Sequence, residues 1–437
     1  MCYYNGLGVE PDYSKAFKLF QYSANQGDAK GQYMLGNCYY FGDGIEQDYK
    51  IAFEWIKSSA IQNDAEGQSL LGQCYYYGRG VGQNYKEAFE WSQKSAIQGN
   101  ANGQWLLGAC YYHGRGTEQN YDKMFEWSQK SAKQDNVKGQ YILGLCYFGG
   151  YGVEKNCEKA FELSKKSADK DDAEGQLLLG LCCYEGYGVE QNYEKAFEWF
   201  MKSATQGDPE GQKWLGFCYY YGEGVEQDFN KAVEWYEKSA RQDNDDAQFL
   251  IGECYYVGLG VEQNYEKVIE WSQKSANQGN AKGQLLLGLC YYMGLGVEQN
   301  YEKAFKWSQK SANQNNAKGQ YFLGVCYFNG HGTDQDYNKA FEWFQQSANQ
   351  SDPEGQQFLG VCYYHGHGIE QNYDKSFNWF QQSANQNDPE GQKWIGISYH
   401  EGHGVEQDRD KAVFWLKKSA EQGNSNAIEI LNQISNL

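Results

Sequence analysis

The sequence predicts an all-α solenoid in which antiparallel helix pairs stack along a line, one pair every 36 residues. Three observations predict it. One pattern fills residues 28–423 as eleven 36-residue units without insertion, with an incomplete unit at 1–27 before it and a capping helix at 424–437 after it. Every complete unit opens on Asp or Asn and carries a second Asp or Asn twenty residues later. A Gly-x-Gly triplet stands between the two. Units of this size bury their apolar faces only against one another, so the chain is read as a single array sharing one core.

The first helix of a unit starts after Asp28, Asp64, Asn100, Asn136 and their counterparts, whose short side chains accept hydrogen bonds from the free N–H groups of a helix start. Pro209, Pro353 and Pro389 follow three of these caps, at the one helical position that tolerates a missing N–H. The helix ends about thirteen residues later at a glycine, Gly42 in the unit Asp28–Asn63, suited to the left-handed conformation that closes a helix. The second glycine, Gly44, is read as part of the same termination. Asp48 then opens a second cap series, and the second helix runs about fourteen residues to Gly, Asn, Asp or Ser.

Each helix carries an apolar face at helical spacing: Gly67, Leu71, Cys74 and Gly78 on the first, and Tyr85, Ala88, Phe89 and Ala96 with Trp91 on the second. Small residues such as Gly67, Gly72 and Ala96 let backbones approach, and the rings fill the remaining space. Tryptophan recurs at the Trp91 position in ten units and is read as packing, not as a ligand platform. Glu followed four residues later by Lys, as in Glu90–Lys94, Glu126–Lys130 and Glu270–Lys274, reads as ion pairs on a solvated face.

Charge and cysteines exclude other classes. The chain holds 38 basic and 57 acidic residues, a net charge of −19, which repels phosphate backbones and anionic lipid, so nucleic acid is not an expected partner. No run approaches the roughly 20 apolar residues of a bilayer span, so no membrane insertion is expected, and the opening MCYYNGLGVEPDYSKAF lacks the basic end and apolar stretch of a secretory signal. Of thirteen cysteines, eleven recur at one phase from Cys2 to Cys362. Equivalent atoms of stacked helices lie roughly 8–10 Å apart, beyond the ~7 Å reach of a disulfide, so these are read as small buried apolar residues. Cys157, Cys182 and Cys183 are given no redox role. Unpaired thiols favour a reducing, cytoplasmic setting.

The segment Leu35 to Asp64 resembles the Sel1-like repeat, a relative of the tetratricopeptide repeat. The residues that carry the likeness are Leu35, Gly36, Tyr39, Gly42, Gly44, Asp48, Tyr49, Ala52, Trp55, Ser59 and Ala60, and in-phase copies cover essentially the whole chain. The resemblance implies a right-handed superhelix with first helices lining its concave side, used to scaffold or assemble other proteins. The usual single cysteine per unit departs from the bacterial cysteine-rich branch, which bridges its two helices.

No catalytic constellation or cofactor site is expected. Gly-x-Gly lacks the third glycine of a dinucleotide fingerprint and follows a helix instead of a strand. Ser167 and Lys170 form an isolated S-x-x-K without its companion motifs, and no kinase signature or P-loop occurs. His331, His365, His367, His400 and His403 gather in the last turns, where imidazoles of neighbouring loops could share zinc or nickel. The position of His331, His367 and His403 elsewhere holds Leu7, Asp43, Arg79, Tyr151 or Glu223, so these are read as exposed loop residues.

The informative variation lies at two positions four residues apart on the first helix. They carry Tyr33 and Asn37, Trp105 and Ala109, Tyr141 and Leu145, Leu177 and Leu181, Lys213 and Phe217, Phe249 and Glu253, Leu285 and Leu289, Tyr321 and Val325, and Gln357 and Val361. From Trp105 onward, all of these but Ala109 are the candidate contacts of a non-catalytic adaptor for a protein or peptide segment with basic flanks. Burial of the apolar members between units is the competing reading of the same residues. Two further alternatives are an array belonging to a larger protein, with a kinase or membrane-anchor segment before Met1, and a hydrolase by analogy with relatives. Met1 falls inside an expected first helix, and Ala427 and Ile428 replace the usual Gly and Gln as though ending the array.

Overall fold

The computed structural model describes residues 1–435; the last two residues of the expected capping segment lie outside the described residues. Twenty-five helices and no strand occur among the described residues, and no helix there is long and apolar enough to cross a membrane. They form two compact units, Met1–Gln227 and Asp228–Leu437.

Within each unit, local chemistry sets the helix ends. The Asp28 carboxylate accepts from Gly31 N–H at 2.7 Å, and Asn100 does the same for Gly103 at 2.9 Å. Helix Ala29–Phe41 closes on Gly42 at φ 85°, whose N–H returns to Cys38 O. Asp48 caps Tyr49–Ile61 through Lys50 N–H and Ile51 N–H. The second helices have thirteen or twelve residues, as in Tyr49–Ile61 and Tyr121–Ala132, and are shorter than expected. Their last turn opens early because a residue two or three positions on takes a left-handed backbone, Gly99 at φ 86°, Asn63 at 67° and Asp135 at 56°. That requirement explains the Gly, Asn, Asp or Ser found there.

Packing within and between pairs uses small residues and amides. A Cβ on Gly67 would overlap the Ser59 side chain and stand 3.1 Å from Ala60 N, so the glycine is where the first helix meets the preceding second helix. The buried Gln68 and Gln104 accept from Gln98 and Gln134 at 2.7 and 2.9 Å, and Gln176, Gln284, Gln320, Gln356 and Gln392 accept in the same way. In these pairs the amide ladder ties the second helix to the buried face of the first helix before it. Satisfied in this way, the buried amides avoid the ~1–3 kcal/mol cost of an unpaired polar group. In the pair that ends at Lys170 the rung is missing and Gln140 Oε1 has no partner.

The structure corrects four sequence expectations. The second glycine of the turn is an inter-pair contact as well as part of a helix end: Gly80, at φ 75°, leaves no room for a Cβ against the Tyr49 carbonyl oxygen of the preceding pair, and Gly116 meets Tyr85 likewise. The residue between the two glycines does not point freely into solvent. Arg79 donates to Tyr40 OH at 2.7 Å, and His331 and His403 pair with Tyr292 OH and Tyr364 OH at 2.9 and 2.8 Å. The two histidines also stack on Tyr301 and Tyr373.

Ion pairs form at Glu126–Lys130 and Glu270–Lys274, yet the lysine also lies over the tryptophan three residues before it. Lys94, Lys202 and Lys238 sit 3.9, 3.8 and 3.7 Å from the ring centres of Trp91, Trp199 and Trp235. The cation–π contact takes the ammonium, at roughly 0.5–1 kcal/mol for an exposed site. The tryptophans are consequently half-buried shelves, Trp271 excepted, and the deep position belongs to the next residue, such as Ser92, Phe200 or Phe344.

All thirteen cysteines are unpaired thiols; Cys2 is exposed, Cys157 half-buried and the others buried. Burial pushes thiols such as Cys38 and Cys74 up to about 12. Near the C-terminus, Ala427 is fully buried in helix Ser425–Ser435 and Ile428 is exposed.

Two outcomes follow from this packing. Gly80→Ala lowers stability by about 3 kcal/mol or more, because the methyl meets backbone in a left-handed residue, whereas Gly82→Ala, which faces open space, changes it by less than ~0.5 kcal/mol; urea midpoints separate them. In the native protein a thiol reagent titrates Cys2 and Cys157 quickly, and the other eleven only on denaturation.

Candidate functional site

Within each unit the first helices pack on the first helices of the next pair, for example Ala65–Tyr77 on Ala101–His113 and Asp245–Val257 on Ala281–Met293, and among the described residues no second helix makes a comparable contact with the next second helix. The first helices therefore form the tighter, inner layer, and the two variable positions lie on it.

In the first unit this layer encloses a hollow of about 550 Å³. Its walls come from five successive first helices: Tyr33, Asn37 and Phe41 from Ala29–Phe41; Glu66, Ser69, Leu70, Gln73 and Tyr77 from Ala65–Tyr77; Asn102 and Trp105 from Ala101–His113; Lys138 from Val137–Gly149; and Glu174 from Ala173–Glu185. Arg79 adds its guanidinium from the turn.

Charges around the hollow are paired. Lys30 meets Glu66 at 2.8 Å, and Lys138 bridges Asp172, at 2.7 Å, and Glu174. Burial opposes the Lys138 ammonium, but Glu174 and Asp172 outweigh it and hold its pKa above the usual lysine value. Burial likewise opposes the Glu66 carboxylate, and the bond from Lys30 keeps it below its ordinary value. Burial, and then the Glu174 charge, raises the phenols of Tyr77 and Tyr141. Nearby, Asp208 caps helix Pro209–Tyr221 by accepting from Gly211 N–H at 2.6 Å, and burial, reinforced by Glu174, pushes its carboxyl up to about 6.

Of the fifteen candidate contacts, Trp105 alone lines the hollow. Trp105, Leu177, Phe249, Val325 and Gln357 are buried. Tyr141, Leu145, Leu181, Lys213, Phe217, Leu285, Leu289, Tyr321 and Val361 are half-buried, and Glu253 is exposed. Trp105, Tyr141 and Leu145 share one cluster with Ala109 and Ile142. Phe217 instead packs among Tyr184, Trp214 and Tyr221, and Lys213 pairs with Glu210 at 2.7 Å. In the second unit Tyr321 and Val325 share a cluster, while Phe249 and Val361 belong to separate ones. Sequence reasoning missed Ser69 and Gln73, which occupy the same two variable positions. It also missed Phe41 and Tyr77, which vary one turn further on. No group of three or more His, Cys, Asp and Glu side chains is placed to hold a metal ion among the described residues.

A family model described as the Sel1 repeat matches twelve consecutive segments, from residues 1–28 and 29–64 through 389–424. The chain belongs to the Sel1-repeat family. Among solved structures, this Sel1-repeat chain is similar to c5321, a protective antigen present in uropathogenic Escherichia coli strains and displaying the SLR fold, at 33% identity over 96% of this chain and 90% of that one, with a TM-score of 0.63. It is also similar to a Sel1 repeat protein from Oxalobacter formigenes, at 29% identity over 56% of this chain and 96% of that one, with a TM-score of 0.51. No curated protein matches it in sequence.

The raised Asp208 carboxyl makes stability pH-dependent. The folded group holds its proton more tightly than an unfolded aspartate of 3.8, so its contribution is full below about pH 4 and declines as pH rises through about 6. Asp208→Asn keeps the cap, as Asn100 and Asn136 do in their own units, and removes this slope. At neutral pH the variant is more stable by on the order of 2 kcal/mol, read from urea midpoints across the range.

Proposed function

We propose that this Sel1-repeat protein is a non-catalytic scaffold that holds a segment of a partner protein along its first-helix layer. The observation that carries the reading is that the two variable positions of the first helices fall on the inner layer, where half-buried apolar side chains follow at one-pair intervals, Leu145 and Leu181 in the first unit and Leu285 and Tyr321 in the second. The rest of the repeat varies little because it is occupied by caps, ladder amides and close contacts.

The net charge of −19 favours partner regions that are basic on either side of the held segment. Thiols that are all unpaired suit a reducing, cytoplasmic setting. The reading takes residues 1–27, 28–423 and 424–437 as incomplete unit, array and cap of a single repeat array.

Selection of a displayed peptide library on the whole protein, followed by calorimetry, tests this. Selected peptides lose at least about tenfold in affinity for Leu145→Glu, which charges the inner layer, and bind Ile97→Glu, at an exposed second-helix position, like wild type. Equal binding to wild type and Leu145→Glu removes the inner layer as the binding surface.

A further inference from the structure

The hollow of the first unit has a chemistry that a surface for apolar peptide anchors does not require. At its floor the Ser69 hydroxyl is almost completely buried, with 2% of the residue exposed, and it makes no hydrogen bond within the protein. A buried hydroxyl without a partner costs about 1–3 kcal/mol. The repeat does not impose that cost. The Ser69 position is Tyr141, Leu177 or Leu285 in other pairs, and the Gln73 position is Leu145, Leu181 or Leu289. A leucine at either place satisfies the fold, so Ser69 and Gln73 are polar departures at positions that line the hollow.

The other walls narrow the class of ligand. Lys30–Glu66 and Lys138–Glu174 are closed ion pairs, and Arg79 is bonded to Tyr40 and lies over the Tyr77 ring, so neither an anion nor a cation meets an uncompensated charge. Gln73 brings an amide that both donates and accepts, Asn102, whose oxygen accepts from Asn136, still donates, Asn37, which donates to Tyr4 OH, still accepts, and the carboxylates fixed by lysine accept from hydroxyls. At the rim Phe41 and Tyr77 keep 59% and 45% of their surface exposed. Aromatic faces carry negative charge density and pack against the weakly positive C–H faces of a saturated ring. Arg79 covers one face of Tyr77, and amides and paired carboxylates in one hollow with the remaining exposed aromatic surface are suited to an uncharged ring bearing several hydroxyls. The polar lining is also local. From Trp105 to Leu181 the two variable positions are aromatic or aliphatic, so an extended peptide finds no continuing track of amides.

We propose that this hollow is a saccharide-binding site, with Ser69 and Gln73 bonding hydroxyls of the bound sugar and Tyr77 supplying the stacking face. The site is independent of the protein-holding role proposed above.

Calorimetry of the whole protein with maltose, cellobiose, chitobiose and N-acetyllactosamine tests it, with saturation-transfer NMR reporting which sugar protons touch protein. At least one disaccharide binds, and its affinity falls about tenfold in Ser69→Ala and in Gln73→Leu; Ser69→Ala keeps or raises the thermal midpoint because it removes an unsatisfied buried hydroxyl, and Gln73→Leu keeps it because leucine stands at that position in other pairs. Tyr77→Ala abolishes the transfer to the ring C–H protons. Silence from all four sugars up to about 20 mM overturns the proposal, as does equal sugar affinity in wild type and Ser69→Ala. Occupation of the hollow only by peptides selected on the inner layer assigns it to the protein surface and overturns the proposal equally.

Discussion

The interval between successive helix pairs is set by a contact between backbones. At Gly80 the turn of one pair lies against the Tyr49 carbonyl of the pair before it, closely enough that no side chain fits, and Gly116, Gly152, Gly224 and Gly296 repeat the contact in their own pairs. Backbone cannot change rotamer, so this contact neither stretches nor compresses. The glutamine amides fix the same interval at the other end of the helices, since Gln98 also donates to Asn63 Oδ1 and Gln134 to the Gly99 carbonyl of the pair before, at 3.2 and 2.9 Å. Together the two contacts explain why no unit gains or loses a residue: an insertion in the turn or at the second-helix end would break one register or the other.

With the interval held by glycine and amides, the core between the pairs is free to vary in a compensated way. The space above the first-helix glycine is filled from either of two directions. Where the second helix carries Ser92, Ser164 or Ser272, a leucine of the next pair, Leu106, Leu178 or Leu286, leans over Gly72, Gly144 or Gly252. Where it carries Phe200, Phe344 or Phe380, that ring sits on Gly180, Gly324 or Gly360 and meets a second aromatic, Trp214, Phe358 or Trp394, at about 5 Å. The same volume is kept by two chemistries, which suits a core packed to constant density. The residue between the turn glycines varies under a similar rule, as arginine or histidine, because each finds the tyrosine of the preceding pair.

Most of the fold was legible in the sequence because it is local. The caps at Asp28 and Asp48 and the left-handed Gly42 are decided within four or five residues, and the 36-residue period displayed them many times. What could not be read depends on the neighbouring pair. Nothing within one unit shows that Gly44 and Gly80 press on a carbonyl thirty-one residues earlier, or that Lys94 prefers the Trp91 ring to Glu90. The variable positions were visible as variation, but their exposure was not. Trp105 and Leu177 are sealed by the first helices on either side, whereas Glu253 at the same face remains open. Ser69 and Gln73 gave a signal of the right kind, polar residues where most other pairs carry apolar ones. Its meaning required the hollow, which no single helix encloses.

A stack with a fixed interval has few ways to make a cavity. It cannot spread its pairs apart without losing the glycine contacts, so space on the inner layer comes from shortening side chains, and the volume that opens is the volume removed. The first unit has its hollow where Ser69 replaces a large residue between Tyr33 and Trp105, which keep the rings that wall it. The lysine clasps work in the same direction, since Lys138 held between Asp172 and Glu174 cannot swing into the opening and fill it. Specific chemistry in such a protein is therefore written as departures from the repeat. The residues that keep the stack in register say nothing of the ligand, and the few positions that break the pattern without weakening the register are the ones that can select it.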